Sequence, residues 1–410
     1  MANLAILGGR PAGDFEPAKW PVFNDDDEKI LLDAFRSGLW GLGGPLNDRF
    51  EKEFAEYTGA EYAVTSSSGT VALRLALEAY EIGPGDEVII PGITWQATPA
   101  AVLDVNAIPV FADVDESTFT LDPRAAEAAV TSKTRAIMPV HIYGRMCDMD
   151  AIMEIAARYR LIVIEDCAHQ HGSKWRGKNA GTIGDAGAFS LQSSKILNTG
   201  EGGITTVNEK RAYDYLQSLK SCGRAWEDSR HFMHGGSYRI TELQAALGVA
   251  QLKRLDEQNR LREKNALELD NLFSNFDGLK PLRRDERITF QTYYCWNLAY
   301  EKEKWGVPLQ TFVDGLNAEF CGRLGIWGAY EPMHRTSLYM PLNKKTHRLS
   351  DDYFKDINPN RFDLPVCDRV FDDIAINLPQ QHLMMDSERN QMIYGAALKL
   401  RENIDELKKI

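Results

Sequence analysis

The chain has no apolar run that reaches the roughly 18 residues needed to cross a membrane. Positive charge is also in short supply, because 47 lysines and arginines face 59 aspartates and glutamates, for a net charge of −12. Nucleic-acid binding requires a basic surface, so we expect neither a nucleic-acid partner nor a membrane partner. Low-complexity stretches and internal repeats are missing as well, which leaves an ordinary globular composition.

Cysteine is scarce and shows no spacing typical of a disulfide framework or a zinc site. The six residues are scattered, and no C-x-x-C pair occurs. This pattern fits free thiols in a reducing cytosol, so we expect a cytoplasmic protein without a bound metal. The first ten residues lack a charged start and a long apolar core, and we expect no signal peptide. Cys167, beside Asp166, is interpreted as a small buried filler rather than a catalytic thiol.

Short apolar runs alternate with helical patterns through the first half of the chain. Helical spacing covers residues 46–57 and Met149–Tyr159, and another helix should begin after Ser68-Gly-Thr70. Such alternation indicates an α/β fold with a mostly parallel sheet covered on both faces. The predicted strands are Glu87–Pro91, Ile108–Ala112, Ala136–His141, Leu161–Glu165, Ala186–Leu191 and Gly203–Val207.

The second half has a mixed pattern. We place a domain boundary in the region 240–280 and expect a large α/β domain over residues 1–255 and a smaller α+β domain over residues 256–410. The elements predicted here are one long helix or a broken pair over Ile240–Leu272, a strand over Tyr293–Tyr300, a helix over Pro308–Phe320, an irregular surface segment over residues 341–362 and a final helix over Arg389–Leu407.

The most informative feature is Lys195, which stands among small and hydroxyl residues and is followed by a Gly-rich turn. Earlier in the chain, Asp166 ends the apolar run that starts at Leu161. An amine near a carboxylate that can be buried is the minimum equipment for pyridoxal phosphate. The lysine would form a Schiff base with the aldehyde, and the acid would keep the pyridinium nitrogen protonated. The alternative is a solvated loop lysine and a helix-capping aspartate.

Other candidate residues also follow predicted strands, where ligands gather in open parallel sheets. The run Ser66-Ser-Ser-Gly-Thr70 precedes an apolar helix, and its amide and hydroxyl groups suit a phosphate dianion, with simple helix capping as the alternative. Trp95 is able to stack on a flat aromatic cofactor, although a tryptophan more often packs in a core. His169, three residues beyond Asp166, could contact the phenolic oxygen of the cofactor, whereas His171 is less constrained.

Together these motifs resemble the DegT/DnrJ/EryC1/StrS family of sugar aminotransferases, which have the fold type I architecture of pyridoxal phosphate enzymes. The resemblance runs in order through most of the chain. Its stretches are Ser68–Leu73, Gly83–Pro91, Thr94–Thr98, Pro139–Gly144 with Asp148–Asp150, Glu165–His169, Gly184–Lys195, Thr199–Gly203 and Gln244–Leu252.

The family's roles carry over onto the matching positions. The resemblance implies that Lys195 holds the cofactor covalently, Asp166 pairs with the pyridinium nitrogen, and Trp95 stacks on the ring. It places the phosphate against the start of the helix after Ser68 and against Ser190. The full set of expected cofactor-binding residues is Ser68, Gly69, Thr70, Trp95, Asp166, His169, Ser190, Gln192, Lys195 and Ser237.

The chain departs from the family pattern at two positions. His169 stands where the family often has Gln, and Ser237 stands where it often has an Asn that reaches the phosphate of the partner subunit. Ser237 is shorter than Asn, which leaves that cross-subunit contact open. Family members that replace the lysine with histidine become dehydratases, so Lys195 argues against that branch.

Finer details resemble the cyclitol and aminohydroxybenzoate branch of the family, namely Phe189-Ser-Leu-Gln192, Ser221-Cys-Gly-Arg224 and Glu331-Pro-Met-His334-Arg335. The function implied is transfer of an amino group from L-glutamine or L-glutamate to a cyclic ketone, either a keto-cyclitol such as scyllo-inosose or a keto-sugar, in aminoglycoside or other secondary-metabolite biosynthesis. The alternatives are a nucleotide-sugar aminotransferase, an aromatising dehydratase that resembles 3-amino-5-hydroxybenzoate synthase, and a non-catalytic regulator that binds the cofactor. A nicotinamide-dependent dehydrogenase is disfavoured, because no G-x-G-x-x-G motif follows the first strand.

The implied reaction has two halves, with pyridoxamine phosphate as the form that carries the amine between them. The freed Lys195 amine would move a proton between the donor and the cofactor. Fold type I enzymes build their sites at a subunit interface, so the resemblance also implies a homodimer. Candidate substrate contacts are Tyr143, His171, Arg224 and His334, each with a surface or packing role as the alternative.

Overall fold

The computed structural model describes residues 2–224, 233–336 and 350–410. Its strands are, in chain order, β1 (Tyr62–Ser66), β2 (Glu87–Pro91), β3 (Ile108–Ala112), β4 (Thr134–Ile137), β5 (Ile162–Asp166), β6 (Lys174–Trp175), β7 (Lys178–Asn179), β8 (Ala186–Ser190), β9 (Gly203–Val207), β10 (Leu279–Pro281), β11 (Ile288–Phe290), β12 (Cys295–Tyr300) and β13 (Ala375–Pro379). Its α-helices are α1 (Asp25–Arg36), α2 (Pro45–Thr58), α3 (Gly69–Ala79), α4 (Ala97–Asp104), α5 (Pro123–Ala128), α6 (Met149–Tyr159), α7 (Lys210–Lys220), α8 (Glu242–Phe273), α9 (Lys302–Trp305), α10 (Leu309–Ala318), α11 (Asp351–Asp356), α12 (Pro365–Arg369), α13 (Ser387–Glu402) and α14 (Ile404–Leu407).

A seven-stranded sheet forms the centre of the molecule, in the order β1-β9-β8-β5-β4-β2-β3. The strands from β8 through β3 in this order are parallel, while β9 is antiparallel to both β8 and β1. Every residue of β2, β3, β8 and β9 is buried, as expected for strands covered on both faces. The predicted α/β fold with a mostly parallel sheet is confirmed.

Helices cover both faces of this sheet because successive strand residues point to opposite sides. In β2, Val88 and Ile90 pack in the apolar cluster under α3, α4 and α7, whereas Ile89 packs in the cluster under α2, α6 and α8. Ser68 and Asp148 cap α3 and α6 by accepting a backbone N–H near the start of each helix. These caps fix where two helices begin relative to the strand ends.

The C-terminal part of the chain forms a smaller α+β region. Strands β10, β12 and β13 make an antiparallel sheet, and α10, α13 and the end of α8 pack around Trp296 and Phe312. Two residues from the opposite end of the chain, Leu4 and Phe15, are buried in the same apolar cluster. The N-terminal segment therefore packs with the smaller region, although the sequence assigned it to the large domain.

Helix α8 is one continuous helix from Glu242 to Phe273, started by a capping box between Thr241 and Gln244. The expected boundary at residue 255 falls inside it, so the helix is shared by the two parts of the chain. The division into residues 1–255 and 256–410 stays a prediction. Within the described ranges, no helix is long and apolar enough to span a bilayer.

Some element predictions need correction. The strand expected over Ala136–His141 ends at Ile137, because Pro139 has no N–H to donate to the ladder. Of the segment expected to be irregular, residues 341–349 lie outside the described residues, and the remainder contains α11, which Ser350 caps. The final helix divides at Asn403 into α13 and α14, and both α1 and β1 were missed.

Candidate active site

A cavity of about 390 Å³ lies at the carboxyl ends of β1, β2, β4, β5 and β8. Ligands bind at this edge of an open parallel sheet. The sheet brings most of the residues predicted to bind a cofactor to this one cavity. Those that line it are Ser68, Gly69, Thr70, Trp95, Asp166, His169, Ser190, Gln192 and Lys195.

Lys195 reaches this cavity from the loop after β8. Its Nζ lies 4.5 Å from the centroid of the Tyr294 ring. Burial lowers the pKa of Lys195 to about 8, against an opposing effect of the Asp166 carboxylate. A substantial fraction of the amine is therefore unprotonated slightly above neutral pH, which is the form that attacks a carbonyl carbon.

Asp166 is the last residue of β5 and is buried at the floor of the cavity. Its Oδ2 accepts a hydrogen bond of 2.9 Å from the Thr98 hydroxyl, and its Oδ1 accepts one of 3.1 Å from the backbone N–H of Ala168. The Thr94 hydroxyl lies 2.7 Å from that of Thr98 and extends the chain of polar groups. Burial raises the pKa of Asp166, while the hydrogen bonds from Ala168 and Thr98 oppose that rise.

The neighbouring acid, Glu165, points to the opposite face of the same strand. It accepts hydrogen bonds from the backbone N–H groups of Ile183 and Gly184, each at 2.8 Å, and pairs with His141 at 3.0 Å. Although His141, Glu165 and Cys167 hold potential metal-ligand atoms within 4.8 Å of one another, these hydrogen bonds already occupy the carboxylate. Because neighbouring strand residues point to opposite faces of the sheet, Glu165 holds the loop at Ile183 and Gly184, whereas Asp166 faces the cavity.

The start of α3 forms a cradle for an anion. Ser68 caps the helix, since its hydroxyl accepts the Val71 N–H at 3.2 Å, and the Ala72 N–H bonds to the Ser68 carbonyl. The N–H groups of Gly69 and Thr70, at the first two helical positions, have no helical carbonyl four residues earlier, and no residue of the described chain accepts them, so they are free for a ligand. A side chain at Gly69 would bring its Cβ within 2.7 Å of the Ser190 Cβ, so the cradle depends on glycine.

His169 is a neutral ring at the cavity wall. Its Nδ1 accepts the Tyr143 N–H at 3.1 Å, and its ring stacks on Tyr294 with centroids 3.9 Å apart and planes 11° apart. Burial, with a further effect of Lys195, holds the pKa of His169 well below its usual range.

Trp95 and Gln192 lie nearer the mouth of the cavity. Trp95 is 54% exposed and meets Tyr330 edge to face, with centroids 5.3 Å apart. The Gln192 side-chain oxygen accepts hydrogen bonds from the backbone N–H and the hydroxyl of Ser194. Both residues border the space above Lys195 and remain candidate cofactor contacts.

Two of the four predicted substrate residues lie in the interior, away from the cavity lining. His171 is fully buried and its Nε2 bonds to the Ser190 carbonyl oxygen at 2.9 Å, which supports the cradle from behind. The Tyr143 hydroxyl accepts the Tyr330 N–H at 2.6 Å. Each side chain holds a cavity residue in place, and the expected substrate contacts of His171 and Tyr143 stay predictions.

The remaining predicted contacts lie at or near the surface, outside the cavity. His334 Nε2 lies 3.1 Å from the Asp368 carboxylate, and the Ser237 hydroxyl accepts a hydrogen bond of 2.8 Å from Arg239. Arg224 is exposed and borders residues 225–232, which lie outside the described ones. Within a single chain none of these three residues lines the cavity, and their expected contacts stay predictions.

Sequence reasoning missed two aromatic residues that line the cavity, Tyr294 and Tyr330. Neither belongs to a motif with its own spacing, and both come from segments distant in sequence from Lys195. Thr98 lies inside a quoted motif, but its contact with Asp166 was not assigned. The available signal was the spacing of Thr98, a polar residue four positions after Thr94, which is typical of two side chains on the same side of a helix.

A model of the DegT/DnrJ/EryC1/StrS aminotransferase family matches residues 22–373. The chain belongs to this family. It is therefore an aminotransferase, and its fold is the fold type I architecture of the family, as predicted. The matched range includes Ser68 and Gly69 at the cradle, together with Asp166 and Lys195.

Relatives in the family cover nearly the whole chain. The chain is 38% identical over 390 residues to an L-glutamine:2-deoxy-scyllo-inosose aminotransferase of Streptoalloteichus tenebrarius, with 90% of each chain covered. It is 34% identical over 425 residues to the L-glutamine:scyllo-inosose aminotransferase of Streptomyces griseus, with 99% of each covered. Among solved structures, 3-amino-5-hydroxybenzoic acid synthase superposes with a TM-score of 0.84 at 30% identity, over 95% of this chain and all of that one.

Proposed function

We propose that the protein transfers an amino group from L-glutamine to a keto-cyclitol of the scyllo-inosose type, with pyridoxal 5'-phosphate as its cofactor. The observation that carries this proposal is the meeting of the Lys195 amine and the Asp166 carboxyl group in one cavity beside an anion cradle. Relatives named as glutamine-dependent inosose aminotransferases, at 34% and 38% identity over most of the chain, support both substrates. A place in aminocyclitol biosynthesis follows from this proposal.

The residues present fit the cofactor. The free N–H groups of Gly69 and Thr70 suit its phosphate, and glycine at position 69 lets Ser190 lie close beside them, since a Cβ there would collide with Ser190. The buried Asp166 carboxyl group suits the ring nitrogen, and Trp95 and His169 border the space for the ring. When bound, pyridoxal phosphate supplies an electron sink that stabilises negative charge on a substrate carbon.

Within this frame each side chain has a defined task. The Lys195 amine, with its pKa lowered to about 8, attaches the cofactor and later moves a proton at its Nζ. Asp166 is held in one orientation by Thr98 and Ala168, so that it presents a fixed oxygen to the ring nitrogen. His169 stays neutral and adds no second cation beside Lys195.

The polarity of the cavity favours a neutral polyol as the acceptor. Among the described residues that line it, the charged side chains are Asp166, Lys195 and Glu201, and none is arginine. A nucleotide diphosphate needs cations for its phosphates, whereas ring hydroxyls pair well with hydroxyl, amide and carbonyl groups. This contrast supports a keto-cyclitol over a nucleotide keto-sugar.

An apolar surface on α1 and the following loop supports a homodimer. Phe35 and Trp40 are 55% and 51% exposed and stack with their centroids 5.4 Å apart. Exposed apolar side chains that cluster in this way mark interaction sites. We call the exposed apolar residues of α1 and of the segments on either side of it the α1 patch; they are Val22, Phe23, Leu32, Phe35, Leu39, Trp40 and Leu42. Free thiols at all six cysteines support a reducing, cytoplasmic location.

The experiment that tests the cofactor is spectroscopic. Purified protein with pyridoxal phosphate should show a visible absorbance band that borohydride bleaches, and peptide mapping should place the reduced adduct on Lys195. Lys195→Ala should lack the band, while Lys174→Ala, outside the cavity, should keep it. A wild-type protein that stays colourless with added cofactor contradicts the proposal.

The experiment that tests the acceptor is a screen of keto-cyclitols and nucleotide keto-sugars with glutamine as donor, read by mass spectrometry for an added amine. We expect amination of scyllo-inosose or its 2-deoxy form. Turnover of glutamine with any acceptor excludes a purely regulatory role, and amination of nucleotide sugars alone contradicts the proposal.

A second candidate is an aromatising dehydratase, which the likeness to 3-amino-5-hydroxybenzoic acid synthase favours. Incubation of the protein with an aminodehydroshikimate-type compound distinguishes the two functions. Formation of an aromatic product from it, with no amination of keto-cyclitols, would support the dehydratase.

A further inference from the structure

We propose that the ring of Tyr294 is the docking site for the Lys195 ammonium group whenever that amine is not attached to the cofactor. This inference rests on the proposed function, because only a lysine that alternates between attached and free forms needs such a place. Tyr294 is thus assigned as a positioning residue.

The contact itself is a cation over an aromatic face. Nζ of Lys195 lies 4.5 Å from the Tyr294 ring centroid, well inside the range of about 6 Å for such an interaction. Across residues 2–224, 233–336 and 350–410, this Nζ makes no hydrogen bond and no ion pair. The ring face is therefore the contact that holds the amine in the described part of the chain.

The ring is fixed in place by the same loops that build the cavity. Its hydroxyl lies 3.1 Å from the hydroxyl of Ser194, the residue before Lys195. The His169 ring stacks on it with centroids 3.9 Å apart. The hydroxyl contact and the stacked imidazole together restrict the orientation of the ring.

The charges around Lys195 agree with this arrangement. Asp166 favours the ammonium form, while His169 and His171 are kept neutral by burial and by Lys195 itself. A neutral imidazole next to the ring does not repel the cation bound to that ring. Burial opposes the charge on Lys195, and the electron-rich ring offsets part of that penalty.

The test uses the full-length protein with its cofactor removed. Tyr294 is replaced by phenylalanine and by phenylalanines with one, two and three ring fluorines, which weaken the negative ring face with little change in size. The pH dependence of Lys195 acylation by acetic anhydride is then measured by peptide mass spectrometry.

We expect Tyr294→Phe to keep the midpoint near that of the wild-type protein. Successive fluorines should move the midpoint downward stepwise, by roughly 0.5 to 1 pH unit in total for a largely buried cation–π pair. The same series at Tyr330, which lines the same cavity, should leave the midpoint in place.

A midpoint that does not respond to fluorine at Tyr294, or that responds equally at Tyr330, overturns the inference. This outcome differs from failure of the proposed function, because acylation of the free amine needs neither cofactor nor turnover. A protein that forms no cofactor adduct at Lys195 refutes the function, whatever the midpoints are.

Discussion

Thr98 shows how a single hydroxyl controls a buried acid. It donates to Asp166 at 2.9 Å, and hydrogen bonds to a charged group contribute about 1.5 to 3 kcal/mol. Thr98→Val removes this bond, which raises the pKa of Asp166 further and would weaken its proposed ionic contact with the ring nitrogen of the cofactor. We expect the affinity for pyridoxal phosphate to fall about 10- to 100-fold, as measured by absorbance titration of the cofactor-free protein.

Thr98→Ser is the matched control, since it keeps the hydroxyl and loses only a methyl group. It should retain most of the affinity. Equal losses for serine and valine would mean that packing of the methyl group, rather than the hydrogen bond, matters at this position.

At the level of residues, the sequence predicts what depends on local chemistry. Lys195 and Asp166 were found because one sits before a Gly-rich turn and the other ends an apolar strand, and both line the cavity. Tyr294 and Tyr330 were missed, because only the tertiary fold brings them to Lys195. Tyr143 was assigned to the substrate because the sequence shows that it follows a predicted strand. The sequence does not show that the Tyr143 hydroxyl accepts a hydrogen bond from the Tyr330 N–H.

The start of α3 is the element on which the proposed phosphate binding depends. Gly69→Ala places a Cβ 2.7 Å from the Ser190 Cβ, so that the helix start or the β8 end must shift. Because alanine favours helix, the fold should survive while the cradle is displaced. We expect at least about tenfold weaker cofactor binding, the equivalent of roughly 1.4 kcal/mol, in the same absorbance titration.

Gly395→Ala is the control within the same protein, since Gly395 lies in α13 with open space around it. It should leave cofactor affinity unchanged and raise the free energy of unfolding by about 0.5 to 1 kcal/mol. If Gly69→Ala binds the cofactor as well as this variant does, the helix start is not the phosphate site.

At the level of elements, the spacing of apolar residues and the length of each apolar run predict most strands of the central sheet. β2, β3 and β9 were predicted with their observed bounds, because short runs of apolar or β-branched residues between breakers mark buried strands. The strand β1 was missed because only two of its five residues, Val64 and Thr65, are β-branched, against four of the five in β9.

In the single chain the α1 patch is exposed to solvent, and we expect the proposed dimer to bury it. Phe35→Ser with Leu42→Ser removes two of its side chains, which are 55% and 63% exposed, so the single chain loses little packing. We expect sedimentation velocity to show a dimer for the wild-type protein and a monomer with reduced activity for the double variant, because apolar area drives such association. Leu398→Ser, at 37% exposure on α13, is the control and should remain dimeric. A double variant that stays dimeric would place the interface on another surface of the protein.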